Sequence, residues 1–156
     1  MHRAVSHYYH ELGNGFEELP LPAALDQEEE RLAGEAERIV AEPGYSSFNH
    51  RHFSYQARGA YADQLEHWRA IFPSDQLFVV NSDRLFERPV REVQRVYEFL
   101  GVPGSPQRDL GAYNQRDYPA IPTAVEDRLA GHFAGRNARL YELVGEDFGW
   151  RAASGG

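Results

Sequence analysis

The sequence predicts an α/β chain that is mostly helical, and three observations carry that expectation. Apolar residues recur at helical spacing along most of the 156 residues, glycine and proline punctuate those runs, and one short stretch, 76–81, reads as a buried strand. At this length one core is expected, burying about 70% of the surface the unfolded chain exposes. A hydrophobic fraction of 42%, with 13% aromatics, suits a folded globule rather than a disordered chain.

The opening run, His2 to Glu11, reads as a helix that Gly13-Asn14-Gly15 breaks. A second helix is expected from Pro22, tolerated in a first turn, to about Ala41, where Pro43-Gly44 closes it. Its glutamate-rich middle reads as a solvated face, with Leu25, Leu32 and Ile39 as a narrow buried stripe. Residues 44–53 read as a polar and aromatic loop. Ser54 is placed to cap a helix running to about Phe72, on which Tyr61, Leu65, Trp68 and Phe72 form a core stripe. Gly59 is awkward there: either the helix starts after it, or its backbone approaches another group closely.

Gln76 to Asn81 is rich in β-branched and aromatic residues without alternation, the pattern of a strand buried on both faces of a parallel sheet. Its pairing partners would have to come from outside the visible pattern. Ser82-Asp83 opens a short helical turn through Phe86. Pro89 starts a helix to Leu100 that buries Val90, Val93, Tyr97 and Leu100 and is capped by Gly101. A long aperiodic loop, 104–118, follows. Thr123 and Glu126 are spaced as a capping box for a helix to about Phe133, and Asn137 opens a last helix through Val144. Residues 152–156 read as a frayed tail.

With no cysteine, the chain has no disulfide frame, thiolate metal site or Cys nucleophile. No apolar run nears the ~18 residues of a membrane span, and the N-terminus lacks a signal-peptide layout, so a cytoplasmic protein is expected. A net charge of −8 argues against nucleic-acid and anionic-membrane partners. All 16 basic residues are arginine, so any lysine-dependent chemistry would need another chain.

Against that acidic background, Arg3, Ser6 and His10 stand at i, i+3 and i+7 and form one polar stripe on the first helix. A guanidinium, a hydroxyl and an imidazole so arranged suit a phosphate or sulfate. His50 and His52 are metal-binding residue types, but no carboxylate or cysteine stands at ligand spacing. No metal is expected, and their segment reads as a surface loop or as a lid facing a ligand.

The order of these parts resembles the C-terminal portion of a sulfotransferase that uses 3′-phosphoadenosine 5′-phosphosulfate (PAPS), of the heparan-sulfate and bacterial type. Four segments carry the resemblance: Arg3-Ala-x-Ser6-x-Tyr8, Arg58-Gly59-x-Tyr61-x-x-x-Leu65-x-x-Trp68, the run from Gln76 to Phe86 ahead of Phe99-Leu100-Gly101, and Asn114-x-Arg116-x-Tyr118-Pro119. The resemblance implies a P-loop-like fold, represented over residues 1–151 by a partial domain without the 5′-phosphosulfate-binding loop. It implies that Ser6, Arg116 and Arg3 bind the 3′-phosphate and that His10 assists at the transfer centre. Arg58, Gly59 and Tyr61 would line the substrate cleft. The implied reaction is sulfuryl transfer from PAPS, without a metal, to a hydroxyl or amine on a small-molecule or carbohydrate acceptor.

Departures from the family pattern accompany these matches. Asn114 stands where the late loop usually has lysine, and the outer arginine of the 3′-phosphate motif would fall before Met1. Activity of this chain alone is therefore not expected. A missing N-terminal half or a homo-oligomer would be needed to complete it. A non-catalytic helical interaction module remains the competing reading, and a metal-dependent hydrolase built on His7, His10, His50 and His52 lacks acidic ligands at a convincing spacing.

Overall fold

The computed structural model describes residues 2–104 and 118–150. The described elements are α1 (His2–Gly13), α2 (Leu21–Leu32), α3 (Glu35–Ala41), α4 (Phe48–Phe53), a 3-10 turn at Ala57–Gly59, α5 (Tyr61–Ile71), a second 3-10 turn at Ser74–Gln76, α6 (Ser82–Glu87), α7 (Pro89–Leu100) and α8 (Thr123–Val144).

The core forms where three amphipathic helices bring short apolar spacings together. Ala4, Val5 and Tyr8 of α1 meet Leu21, Ala24 and Leu25 of α2 and Val125, Leu129 and Phe133 of α8, with Tyr55 completely buried among them. These positions repeat at intervals of three or four, so each helix turns one stripe inward. Each fully buried large apolar side chain contributes roughly 1.5–3 kcal/mol.

The expected α/β class is overturned: among the described residues there is no strand, and the architecture is helical. Residues 74–76 form a 3-10 turn, and Leu77 is extended (φ −117°, ψ 118°), but among the described residues the 77–81 stretch has no neighbour with which to form a ladder. Phe78 instead stacks on Phe99 of α7 at 5.0 Å, with the Arg95 guanidinium 5.3 Å from its ring centre. An apolar β-branched run is strand-forming only where another backbone meets its N–H and C=O groups. This stretch is an extended connector lying half-buried on α7.

Other boundaries also moved. The long second helix is interrupted: Gly34 adopts a left-handed conformation (φ 74°) and separates α2 from α3, where the buried stripe ends and Ile39 is exposed. The 44–53 loop contains α4, capped by the Ser47 hydroxyl, which accepts from the His50 amide at 2.8 Å. The helix expected from Ser54 begins only at Tyr61, and Trp68 and Phe72 are exposed rather than core. Both conditions raised by Gly59 hold. It ends a 3-10 turn before α5, and a Cβ there would lie 2.5 Å from Phe133.

At the other end, α8 runs unbroken through Gly131, Gly135 and Asn137 instead of dividing in two. Pro122 is its N-cap and Thr123 makes no capping bond. Asn137 donates to the Trp150 carbonyl (3.3 Å), and Leu140 continues the buried stripe that Val125, Leu129 and Phe133 begin. The expected bounds of α7 and its Gly101 cap hold (φ 65°), but Val90 and Leu100, expected inside, are exposed.

Candidate functional site

The buried Ala4–Val5–Tyr8 stripe fixes the rotation of α1. It leaves Arg3 and His10 exposed and Ser6 half-buried on the opposite side. Arg3, Ser6 and Tyr61 line one cleft of ≈ 490 Å³ together with Asp83, Phe133, Asn137 and Trp150. Three of the expected site residues thus converge. Among the described residues Arg3 forms no ion pair with a carboxylate. Its charge lies near enough to Arg58 to help burial hold that guanidinium below its ordinary value, with Glu11 opposing. A guanidinium with no carboxylate paired to it among the described residues, in the first turn of a helix, suits an anion, although the Asp83 carboxylate lines the same cleft.

Arg58 itself faces the protein. Its guanidinium donates to the Ser54 hydroxyl (3.0 Å) and to the Arg51 carbonyl (2.5 Å), tying the end of α4 to the 3-10 turn. Gly59 is buried against Phe133 and supplies room rather than contact. His10 lies one turn beyond Ser6 but outside the cleft lining, and its Nε2 accepts from Asn14 Nδ2 at 3.0 Å. Arg116 and Asn114 lie outside the described residues.

Tyr118 returns from the late segment to α1. Its phenolic oxygen is 3.0 Å from the Ser6 Oγ, and its ring stacks on Tyr9 at 5.4 Å and 14°. A second cleft of ≈ 580 Å³, lined by Ser6, Tyr118, Ile121 and Glu126, adjoins this pair. Ser6 therefore lines both clefts.

Two buried carboxylates that sequence reasoning passed over stiffen this end of the molecule. Glu11 sits between two imidazoles: His52 Nδ1 is 2.7 Å from Oε2, and His7 Nδ1 is 3.5 Å from Oε1. Burial, then the Arg58 charge, lowers His7 to about 4 against the pull of Glu11, so His7 is neutral at pH 7. Its Nε2 has no hydrogen-bond partner among the described residues. The i,i+4 spacing of His7 and Glu11 was a visible signal; the long-range partner His52 was not.

Glu17 accepts from both Arg31 nitrogens, from the Tyr55 hydroxyl at 2.7 Å and from two backbone amides. Burial alone would raise its pKa, but the bonds from Arg31, Tyr55 and the Leu19 amide outweigh that and hold it at about 2. Within the acidic run read as solvated, Glu28 is also an exception: its buried carboxylate accepts from the Gln56 and Ala57 amides, each at 2.8 Å.

The sulfotransferase-domain profile matches residues 2–113, which include α1 and its polar stripe. The chain belongs to the sulfotransferase family. It is 33% identical over 116 residues to human heparan sulfate glucosamine 3-O-sulfotransferase 6, an alignment covering 59% of this chain and 34% of that protein. Over 116 residues it is 31% identical to human heparan sulfate glucosamine 3-O-sulfotransferase 3B1, covering 59% of this chain and 30% of that protein. The crystal structure of a sulfotransferase from Alicyclobacillus acidocaldarius superposes with a TM-score of 0.70 at 28% identity, over 96% of this chain and 53% of that one. This sulfotransferase chain spans about a third of the length of the curated relatives it matches. Among its described residues no helix is long and apolar enough to cross a membrane.

Proposed function

We propose that this chain supplies the 3′-phosphate-binding part of a sulfotransferase that moves a sulfuryl group from PAPS to a hydroxyl or amine acceptor. The observation that carries the reading is Arg3 and Ser6 on one face of α1, opening on the same cleft, in a chain of this family. The residues fit the group chemically. A phosphate oxygen is an acceptor only, Ser6 offers an O–H donor, and Arg3 offers a guanidinium without a carboxylate partner among the described residues. Arg116 is assigned to the same phosphate as a second guanidinium.

Sulfuryl transfer resembles phosphoryl transfer, in which positioning and electrostatic stabilisation supply most of the rate. In this reading Ser6 and Arg3 orient the nucleotide by its 3′ end. His10, one turn further along the same face, is assigned to the acceptor proton or to charge at the transfer centre. The curated relatives named above are glucosamine sulfotransferases, so a carbohydrate acceptor is proposed for this chain. Tyr61 at the cleft wall is a candidate platform for a sugar ring.

We assign the binding of the 5′-phosphosulfate to a separate set of residues on a covalently continuous or associated polypeptide. The exposed Trp68, Ile71, Phe86, Val90 and Leu100 favour a chain that works docked against other protein surface.

Calorimetric titration of 3′-phosphoadenosine 5′-phosphate (PAP) into the chain tests the reading. Ser6→Ala and Arg116→Ala are each expected to weaken binding by about 1–3 kcal/mol, the range for hydrogen bonds to charged groups. His10→Ala is expected to leave PAP affinity unchanged. Equal affinity of the parent, Ser6→Ala and Arg116→Ala proteins would refute the site assignment.

A further inference from the structure

We infer that Tyr118 is a positioning residue that aims the Ser6 hydroxyl, holding it as a donor toward a bound phosphate. The inference rests on the nucleotide reading above and adds to it a relay between two side chains. The Ser6 Oγ and the Tyr118 hydroxyl are 3.0 Å apart, a hydrogen-bond distance at which either group can donate. A serine hydroxyl has one proton and two lone pairs, whereas a phosphate oxygen has no proton to give at that bond. When Ser6 donates to phosphate, its oxygen is left as an acceptor, and the Tyr118 O–H is the donor in place to fill it. Both bonds then run in one direction, from phenol to serine to phosphate, and each polarises the next.

The alternative arrangement has the phosphate displacing the Tyr118 hydroxyl. Three features oppose it. The phenol ring is held by its stack on Tyr9, at 5.4 Å and 14°, one turn along α1 from Ser6. Ser6 also borders the Arg3 cleft as well as the space beside Tyr118, so an anion can reach Ser6 from the Arg3 side with the tyrosine in place. Pro119 follows directly and limits the backbone freedom of Tyr118, which favours a fixed phenol.

A double-mutant cycle on the full 156-residue chain, read by PAP calorimetry, tests the relay. Tyr118→Phe keeps the ring and its stack on Tyr9 and removes only the hydroxyl. It is expected to weaken PAP binding by about fivefold, the worth of one ordinary hydrogen bond, while lowering the melting temperature of the free chain by no more than about 4 °C. In a Ser6→Ala background the same substitution is expected to have no effect, because the hydroxyl it serves is gone. Unchanged or tighter PAP binding by Tyr118→Phe, while Ser6→Ala still weakens it, would overturn the relay and leave the nucleotide reading standing. A Tyr118→Phe effect of equal size in both backgrounds would also overturn it, by showing that the phenol acts independently of Ser6. If Ser6→Ala itself leaves PAP affinity unchanged, or the parent does not bind PAP, the nucleotide reading fails and the relay with it.

Discussion

Gly59 carries no side chain because Phe133 occupies the space where one would go. Gly59→Ala would set a Cβ 2.5 Å from a ring that is 3% exposed and held by the core. Overpacking of this kind costs about 1–3 kcal/mol, and urea denaturation should show that loss without a change in slope. At His7 the pH dependence is set by burial. The unfolded chain takes up that proton near 6.5, whereas the folded one resists until about 4, so the unfolded state binds more protons between those values. Stability is therefore lost as pH falls from 6.5 toward 4, by about 2 kcal/mol from this group at pH 5. His132, also lowered, first by burial and then by Arg136, adds the same sign, while Glu28, raised by burial, opposes it. Thermal melts of the parent and His7→Gln proteins at pH 7 and pH 5 isolate the His7 share: the substituted protein should lose less on acidification.

Glu17 adds a separate acid limb. Its pKa of about 2 in the folded state means that its contribution is complete above its ordinary 4.5 and fades only below it. A local stripe and a motif marked Arg3, Ser6 and Tyr61 in the sequence, and the fold brings the three to one cleft. The Glu17–Arg31, Glu17–Tyr55 and Glu11–His52 pairs were missed, because their partners lie 14, 38 and 41 residues apart and share no local pattern.

Among the elements, α8 shows why glycine and asparagine are unreliable stop signals. Gly131, Gly135 and Asn137 sit inside one helix because Leu129, Phe133 and Leu140 stay on its buried side across them. At Gly135 a Cβ would meet nothing within 4 Å, so Gly135→Ala should stabilise the chain by about 0.5–1 kcal/mol, measurable as a raised melting temperature. Helix ends marked by strong local chemistry, such as the Gly101 cap of α7, were readable from sequence. The 76–81 stretch was misread for the complementary reason: its composition fits a strand, but strand formation depends on a neighbour that composition does not reveal. The Thr123 capping box failed because Pro122, with its fixed φ, took the cap position.

Across the whole molecule, burial is uneven. The core joins α1, α2 and the first half of α8, whereas in α6 and α7 Glu92 is the one buried residue and Phe86, Val90 and Leu100 are exposed. Those two helices pack on each other and are tied to the end of the described chain by Arg84–Glu146 and by the Trp150 indole donating to Asp83 at 2.8 Å. Local stability follows buried contacts, so amide hydrogen exchange should be slowest in 4–8, 24–28 and 125–133 and faster throughout 82–100. Comparable protection in both regions would mean that α6 and α7 are stabilised by contacts the core description omits.

The most direct test of the central claim varies the ligand instead of the protein. PAP and adenosine 5′-phosphate differ by the 3′-phosphate alone, the group assigned to Arg3 and Ser6. The parent chain is expected to bind PAP at least tenfold more tightly, about 1.4 kcal/mol, and Ser6→Ala to shrink that preference. Equal affinity of the parent for the two nucleotides would contradict the assignment of α1 as the 3′-phosphate site.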